Sequence, residues 1–406
     1  MKVIEKKNLL PFVLVTSLFA LWGLANNMTD TLLAAFRRIM AMSDTQTSLI
    51  QLSFYGAYFC LALPAALYIR RRSYKSGVIL GLCLYAAGAI LFLPAAKAAS
   101  YAFYLIAIYI MAAGCSVLET TANPYIMAMG SPETATRRLN IAQAFNPLGS
   151  IAGIFISKYF ILSDISLYSV SGTYAAVGCV LIGIMIVMLF AKMPDATTSS
   201  ATGEERGSLS LSKGPFKRLF NNKKYVGGVI AQFFYVGAQI GVWSFTIRLV
   251  MQELGCLEAQ AATLYLVSII GFCTSRFVYT ALMKYIAPQR LLTAGAALSA
   301  LCALLVVFTG GWVAIASLIG ISVFMSLMFP TIYGIALGSV SSPEDVKIGA
   351  SGLIMAILGG ALLTPLQGMI SDAAGVSVSF LVPFVCFLVV LVYAFAAATG
   401  FSKKNC

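Results

Sequence analysis

Apolar runs of about twenty residues recur along almost the whole chain, and no other feature restricts its fold as tightly. Twelve can be drawn, over 11–35, 47–69, 76–95, 101–128, 139–162, 173–191, 225–249, 260–284, 290–309, 312–338, 348–371 and 377–400. Each is long enough to cross ~30 Å of hydrocarbon as a helix. Sixty per cent of the 406 residues are hydrophobic and 10 % are charged, with a mean hydropathy of +0.90; a soluble domain carries about 25 % charged residues. A membrane β-barrel would show alternation over segments of about ten residues instead. The sequence therefore predicts an all-α membrane protein with twelve transmembrane helices, and the lipid bilayer as its first partner.

The net charge of +13 invites a nucleic-acid reading, and its placement decides against one. With the N-terminus inside, Lys2, Lys6, Lys7, Arg70, Arg71, Arg72, Lys75, Arg137, Arg138, Lys192, Arg206, Lys213, Lys217, Arg218, Lys223, Lys224, Lys284, Arg290, Lys347, Lys403 and Lys404 are cytoplasmic. These are twenty-one of the twenty-seven basic residues. Arg37, Arg38 and Lys97 fall in outer loops, and Lys158, Arg248 and Arg276 fall within spans. This is the positive-inside pattern, which predicts a multi-pass plasma-membrane protein, the inner membrane in a bacterium, with both termini cytoplasmic. Lys6 and Lys7 before an apolar stretch mimic a signal peptide, but eleven further spans favour an uncleaved first helix. The chain has no His and no CxxC pair, and eight of its nine cysteines lie in or beside spans. That composition predicts no disulfide framework, no metal site and no cofactor, and with no nucleophile–base pair it argues against an enzyme.

Residues 192–223 break the pattern, being Ser/Thr/Gly-rich and then basic. They read as a cytoplasmic linker between a six-span bundle over 1–191 and a second over 224–406. Lys213 to Lys224 are expected to form a short amphipathic helix on the inner surface. The halves look like repeats. Ser131-Pro132-Glu133 follows span four and Ser342-Pro343-Glu344 follows span ten; sixteen residues beyond each glutamate stands a glycine, Gly149 or Gly360. Pro124 and Pro330 occupy comparable parts of spans four and ten. Spans five and eleven carry Asn146-Pro147 and Gly359-Gly360 with Pro365. Two parallel, pseudo-symmetric six-helix bundles are the layout of the major facilitator fold, in which substrate binds near the bilayer midplane between the halves.

Asp30, Glu119 and Arg276 are the ionisable residues farthest from any predicted loop. A charge at a helix centre costs about 2.5–3.5 kcal/mol on insertion scales, so each demands a reason. At 1.5 Å per residue Asp30 lies ~28 Å along the outward-running span one, and Glu119 ~27 Å along the inward-running span four. They are thus offset in depth, one outer and one inner. A carboxylate set away from cations can hold or release a proton near neutral pH, as proton coupling requires. The plainer reading makes Asp30 a helix-end marker and pairs Glu119 with a basic residue.

Asn26 and Asn27 share the side of span one that carries Asp30, and Asn123 stands one turn after Glu119. Asn140, Gln143 and Asn146 recur every three residues on span five. Gln232, Tyr235, Gln239, Trp243 and Thr246 form a helical stripe on span seven. Single amides often serve only to join membrane helices. Several amide stripes with two carboxylates and the aromatics Trp22, Phe145 and Trp243 suit a polyol, since amides both donate to and accept from hydroxyls while rings cover a sugar's apolar face. For Arg276 a carboxylate, a carbonyl-rich helix end or an anionic substrate are the available partners, and a structural or gating pair is favoured.

At these residues the chain resembles the fucose–galactose–glucose:proton symporter family. The motifs are Leu21-Trp22-Gly23-Leu24-Ala25-Asn26-Asn27, Leu118-Glu119-Thr120-Thr121-Ala122-Asn123-Pro124 and Arg138-Leu139-Asn140-Ile141-Ala142-Gln143-Ala144-Phe145-Asn146, with Ser275-Arg276-Phe277 and the stretch from Thr364 to Gly375 in the second half. The resemblance implies proton-coupled uptake of a neutral monosaccharide such as fucose, galactose or glucose; the chain is expected to be a monomer and to work by alternating access. It implies that Asp30 and Glu119 are the coupling carboxylates and that Asn27, Gln143 and Asn146 line the sugar cavity. Pro147 departs from the small residue usual after Asn146. Two rival expectations stand beside this one: sodium coupling, with Asp30 and Asn27 oxygens as ligands, and efflux of amphipathic compounds, which would call for a mostly apolar cavity.

Overall fold

The computed structural model describes residues 3–4, 8–39, 44–161, 166–191, 193 and 214–399; within these, the side chains of 25–27, 29–39, 44–49, 51, 158 and 161 lie outside the description. The described residues are helices and short connections. In chain order the helices are α1 (Leu9–Ile39), α2 (Asp44–Arg71), α3 (Tyr74–Ile90), α4 (Phe92–Ala98), α5 (Tyr101–Ala128), α6 (Ala135–Gln143), α7 (Asn146–Ile156), α8 (Leu167–Phe190) and α9 (Gly214–Asn221). The second half continues with α10 (Lys223–Leu254), α11 (Glu258–Leu282), α12 (Pro288–Phe308), α13 (Gly311–Met325), α14 (Met328–Leu337), α15 (Pro343–Met355), α16 (Gly359–Ala374), α17 (Val376–Ser379) and α18 (Leu381–Thr399). Among the described residues eleven helical stretches are long and apolar enough to cross a membrane, and Leu9–Leu24 of α1 supplies a shorter apolar helix.

Three spans are interrupted where the sequence places helix-breaking residues. Span five divides between α6 and α7, two residues before Pro147 becomes the second residue of α7. Span ten divides between α13 and α14, just ahead of Pro330. Span eleven passes through a tight turn over Ala356–Leu358 before Gly359-Gly360. Proline lacks the N–H that would bond the carbonyl four residues earlier, which is why breaks gather there. Both Ser-Pro-Glu motifs open a helical segment with proline in its first position, Pro132 in a single 3₁₀ turn and Pro343 in α15; there the missing N–H costs nothing.

The chain forms two compact units. The first comprises Met1–Ala135, Phe145–Asn221 and Val340–Met355, so it includes α15 from the second half of the sequence. The second comprises Thr136–Ala144, Asn222–Ser339 and Ala356–Cys406, and includes α6 from the first half. The repeat-related glycines make matching contacts. In unit one a Cβ on Gly149 would meet α1 at the Ala20 carbonyl oxygen, and in unit two a Cβ on Gly360 would meet α10 at Ile240.

Of the linker, residues 194–213 lie outside the described ones. The amphipathic helix expected over Lys213–Lys224 ends sooner, at Asn221, because Asn222 caps α10 through its Oδ1, which accepts from the N–H groups of Lys224 and Tyr225. Helix α9 is tied to unit one by Arg218, whose Nε and Nη2 donate to the two Asp345 oxygens at 2.7 and 2.8 Å. Arg70 similarly holds Glu344 at 2.6 Å, so both acids in the first turn of α15 face a guanidinium as well as the helix dipole.

The Arg218–Asp345 pair is lopsided, the arginine side chain being 60 % exposed and the aspartate 5 %. Removing the arginine strands a buried carboxylate, whereas removing the aspartate leaves a solvated cation. Arg218→Ala is therefore expected to lower the melting temperature of the purified protein more than Asp345→Ala does. Equal or reversed shifts would show that the pair is not what seats α9.

Candidate functional site

In unit one the site is built on α5. Glycines on α3 let the two helices approach to backbone contact: a Cβ on Gly88 would meet the Met111 nitrogen at 2.3 Å, and one on Gly114 would meet the Tyr85 nitrogen at the same distance. Small residues at such seams are how membrane helices pack closely. As a result α5 is buried on all sides from Met111 to Ile126, with Glu119 as its only residue that keeps surface access. Glu119 makes no hydrogen bond or ion pair with a described residue. Its near neighbours are Tyr58 and Cys115, neither of them cationic. A half-buried carboxylate with no counter-charge among the described residues can gain and lose a proton without breaking a described salt bridge. It can also accept a hydroxyl when ionised or donate one bond when protonated. Asn123 lies one turn further on and is fully buried.

Trp22 is also buried, its Nε1 donating to the Cys115 carbonyl at 3.2 Å, one turn before Glu119. This indole joins α1 to α5 beside the carboxylate. Helix α1 meets α7 along a second seam, where Asn146 Nδ2 donates to the Phe19 carbonyl at 3.2 Å and Ser150 Oγ to the Gly23 carbonyl at 3.3 Å. Asn146 is half-buried and Phe145 beside it is exposed. The backbone of Asn26, Asn27 and Asp30 is helical within α1, and their side chains lie outside the described residues.

In unit two the span-seven stripe divides by depth. Gln232, Tyr235 and Thr246 are buried, while Gln239 and Trp243 between them are half-buried. Thr246 bonds its own helix at the Val242 carbonyl. Both amide atoms of Gln232 lack a described partner, so it is the least satisfied group in the stripe. Trp243 stands edge-on to Phe272 at 5.0 Å and directs Nε1 toward Ser322 Oγ at 3.4 Å, and Ser268 donates to the same hydroxyl at 2.7 Å.

The Phe272 ring also carries Arg276, whose Cζ lies 4.6 Å from the ring centre. Arg276 is 3 % exposed, with no carboxylate among its described partners. Its Nε donates to the Ser326 carbonyl at 2.6 Å and its Nη1 to the Gln143 carbonyl at 3.1 Å. Gln143 itself is buried, and Asn140, one turn earlier, exchanges bonds with Thr331 at 3.3 and 3.4 Å. Thus unit two gathers Asn140, Gln143, Gln239, Trp243 and Arg276, and unit one gathers Trp22, Glu119, Asn123, Phe145 and Asn146.

Charge placement makes Arg138 a cytoplasmic marker; the structure adds that it is fully buried in α6. Its position inside the Arg138–Asn146 motif, three residues after Ala135 opens the helix, was the available signal. A charge that close to a span can be drawn inside by packing.

Comparison with known proteins adds to this geometry. Residues 13–357 match the model of the Major Facilitator Superfamily. An L-fucose-proton symporter of Haemophilus influenzae is 43 % identical, over 98 % of this chain and 98 % of its own. The chain belongs to the fucose–galactose–glucose:proton symporter family. A glucose/galactose transporter of Brucella abortus is 33 % identical over 93 % of the chain and 92 % of its own length. The solved major facilitator transporter FucP, in an outward conformation, superposes with a TM-score of 0.86 at 34 % identity, covering 97 % of this chain and 99 % of that one. Like that family, the chain has the all-α, twelve-span major facilitator fold of two pseudo-symmetric six-helix bundles.

Proposed function

We propose that this protein is a secondary active transporter that carries a neutral monosaccharide inward together with protons, by alternating access of the halves 1–191 and 224–406. The observation that carries the reading is Glu119. In a helix otherwise sealed from Met111 to Ile126, one carboxylate keeps access and has no described counter-charge. The names of the relatives, L-fucose-proton symporter and glucose/galactose transporter, supply the chemistry such a group would serve.

Asp30, reached from outside, is protonated first and admits sugar. Glu119, deeper, takes part in binding and releases protons inward. Inward movement of each proton draws about 2.3 kcal/mol per 100 mV of membrane potential, enough to concentrate a neutral solute. Asn26, Asn27, Asn146 and Gln239 offer donors and acceptors to hydroxyls, and Phe145 and Trp243 offer ring faces; Asn123, Gln143 and Trp22, expected from the sequence to touch the sugar, are buried and stand behind the contact surface. In this reading the protein is a monomer of a bacterial inner membrane, with cytoplasmic termini and no cofactor beyond the coupling ion.

The test is thermal stability of the purified protein over a panel of L-fucose, D-galactose, D-glucose and a disaccharide, at pH 5.5 and 7.5, with and without sodium. Binding linkage raises the melting temperature for a true ligand. At least one monosaccharide is expected to stabilise it without sodium, more strongly at one pH than the other. Stabilisation that requires sodium and ignores pH overturns proton coupling. An absence of any monosaccharide effect, with a response to amphipathic compounds instead, overturns sugar transport.

A further inference from the structure

Within unit two, α11 and α13 are joined by two pairs of serine hydroxyls. Ser275 Oγ lies 2.8 Å from Ser326 Oγ and 2.9 Å from the Val323 carbonyl oxygen, so this pair closes on the seam itself. That is the ordinary use of a hydroxyl between membrane helices. Two turns earlier on α11, Ser268 donates to Ser322 Oγ at 2.7 Å, and both residues are fully buried. This second pair reaches a third helix. Trp243 Nε1, from α10, is directed at the same Ser322 oxygen at 3.4 Å. An indole N–H can only donate, and a hydroxyl oxygen has two lone pairs; Ser268 fills one of them and Trp243 meets the other.

We propose that Ser322, backed by Ser268, is a positioning residue that sets the plane of the Trp243 ring and so the fit of a sugar against it. The hydroxyl holds the N–H edge of the indole. The buried Phe272 ring, 5.0 Å away at an interplanar angle of 75°, holds its body. One contact would leave the ring free to swing about the other; the two together fix its plane. Trp243 is half-buried, so part of the ring so oriented stays open. The apolar patch of a pyranose is a set of C–H groups whose outline depends on which hydroxyls are axial. A ring held in one plane fits one outline at little ordering cost, whereas a swinging ring must be ordered by the sugar itself. The role of Trp243 as a sugar contact rests on the proposed transport function; the indole–hydroxyl bond rests on the geometry alone.

The test has two arms on the same variants of the full chain. The first is NMR of protein grown with isotope-labelled tryptophan, whose three indole N–H groups belong to Trp22, Trp243 and Trp312. The Trp243 resonance is assigned by its loss in Trp243→Phe. In Ser322→Ala it should move upfield as its hydrogen bond is lost, in Ser268→Ala it should move the same way by less, and the other two should stay in place. An unmoved Trp243 resonance, or an equal shift of all three, overturns the proposal. The second arm measures binding and transport of L-fucose, D-galactose and D-glucose. In Ser322→Ala the sugar that the parent binds most tightly should bind about fivefold more weakly, the scale of one hydrogen bond. Its saturated transport rate should change little. Parental affinity, or a fall in saturated rate at parental affinity, overturns the positioning role. Should Ser322→Ala not fold, Ser268→Ala with Ser322→Ala leaves neither hydroxyl stranded and is held to the same outcomes. Should the parent bind none of the three sugars, the transport reading and the positioning role fall together, and the resonance arm decides the indole–hydroxyl bond by itself.

Discussion

Glu119→Gln, purified and reconstituted, is expected to reduce sugar-driven proton uptake to the level of protein-free liposomes. Glutamine keeps the shape of the side chain and both kinds of hydrogen-bonding atom, so it can still face a hydroxyl from the same position on α5. What it cannot do is carry a proton from one side to the other. Sugar exchange across the membrane, which needs no net proton movement, should therefore survive far better than net uptake. Any dependence of sugar affinity on pH that belongs to this residue should also flatten. The environment makes the expectation strong, because no described cation shares the carboxylate and no described group stands ready to replace it. Alkalinisation on adding sugar to Glu119→Gln vesicles, in proportion to sugar entry, would sink the coupling role. Asp30→Asn is the companion variant for the outer carboxylate.

Gly149→Ala is expected to cost about 3 kcal/mol or more in stability, at the upper end for overpacking because the obstacle is backbone. A Cβ there would sit 1.7 Å from the Ala20 carbonyl oxygen, and one on Gly23 would sit 1.9 Å from that of Asn146. Neither oxygen belongs to a side chain that can swing away, so α1 and α7 must separate. Separation also loosens the Asn146–Phe19 and Ser150–Gly23 hydrogen bonds, each worth about 1 kcal/mol. Both Gly149→Ala and Gly23→Ala should melt well below the parent in detergent and accumulate poorly in membranes. Gly172→Ala and Gly183→Ala on α8, where the added carbon meets open space, should melt like the parent or slightly above it. A Gly149→Ala protein with an unchanged melting curve would mean that this seam does not hold the two helices together.

These expectations show which parts of the molecule a linear reading can reach. Span number and the repeat followed from hydropathy and from Gly149 and Gly360, because membrane thickness and close packing impose them residue by residue. The span-seven stripe was visible as a period, yet period gives a face and not a depth. Nothing in the spacing separates Gln232, sealed in, from Gln239, half open. Arg138 makes a related point, since a rule about loop charge assigns a side of the membrane and says nothing of whether the charge packs against its own protein. The partner of Arg276 lay among three alternatives because carbonyl groups carry no letter in a sequence. Which carbonyls a buried guanidinium reaches is set by tertiary packing. The early end of α9 turned on one capping side chain, Asn222, a choice that helical periodicity does not make.

The exchange of helices between the halves of the sequence also constrains the order of assembly. Unit one takes α15 from the second half and unit two takes α6 from the first. A chain made only as far as residue 191 therefore lacks one helix of its first unit, and that unit completes its packing only after residues 343–355 have been synthesised.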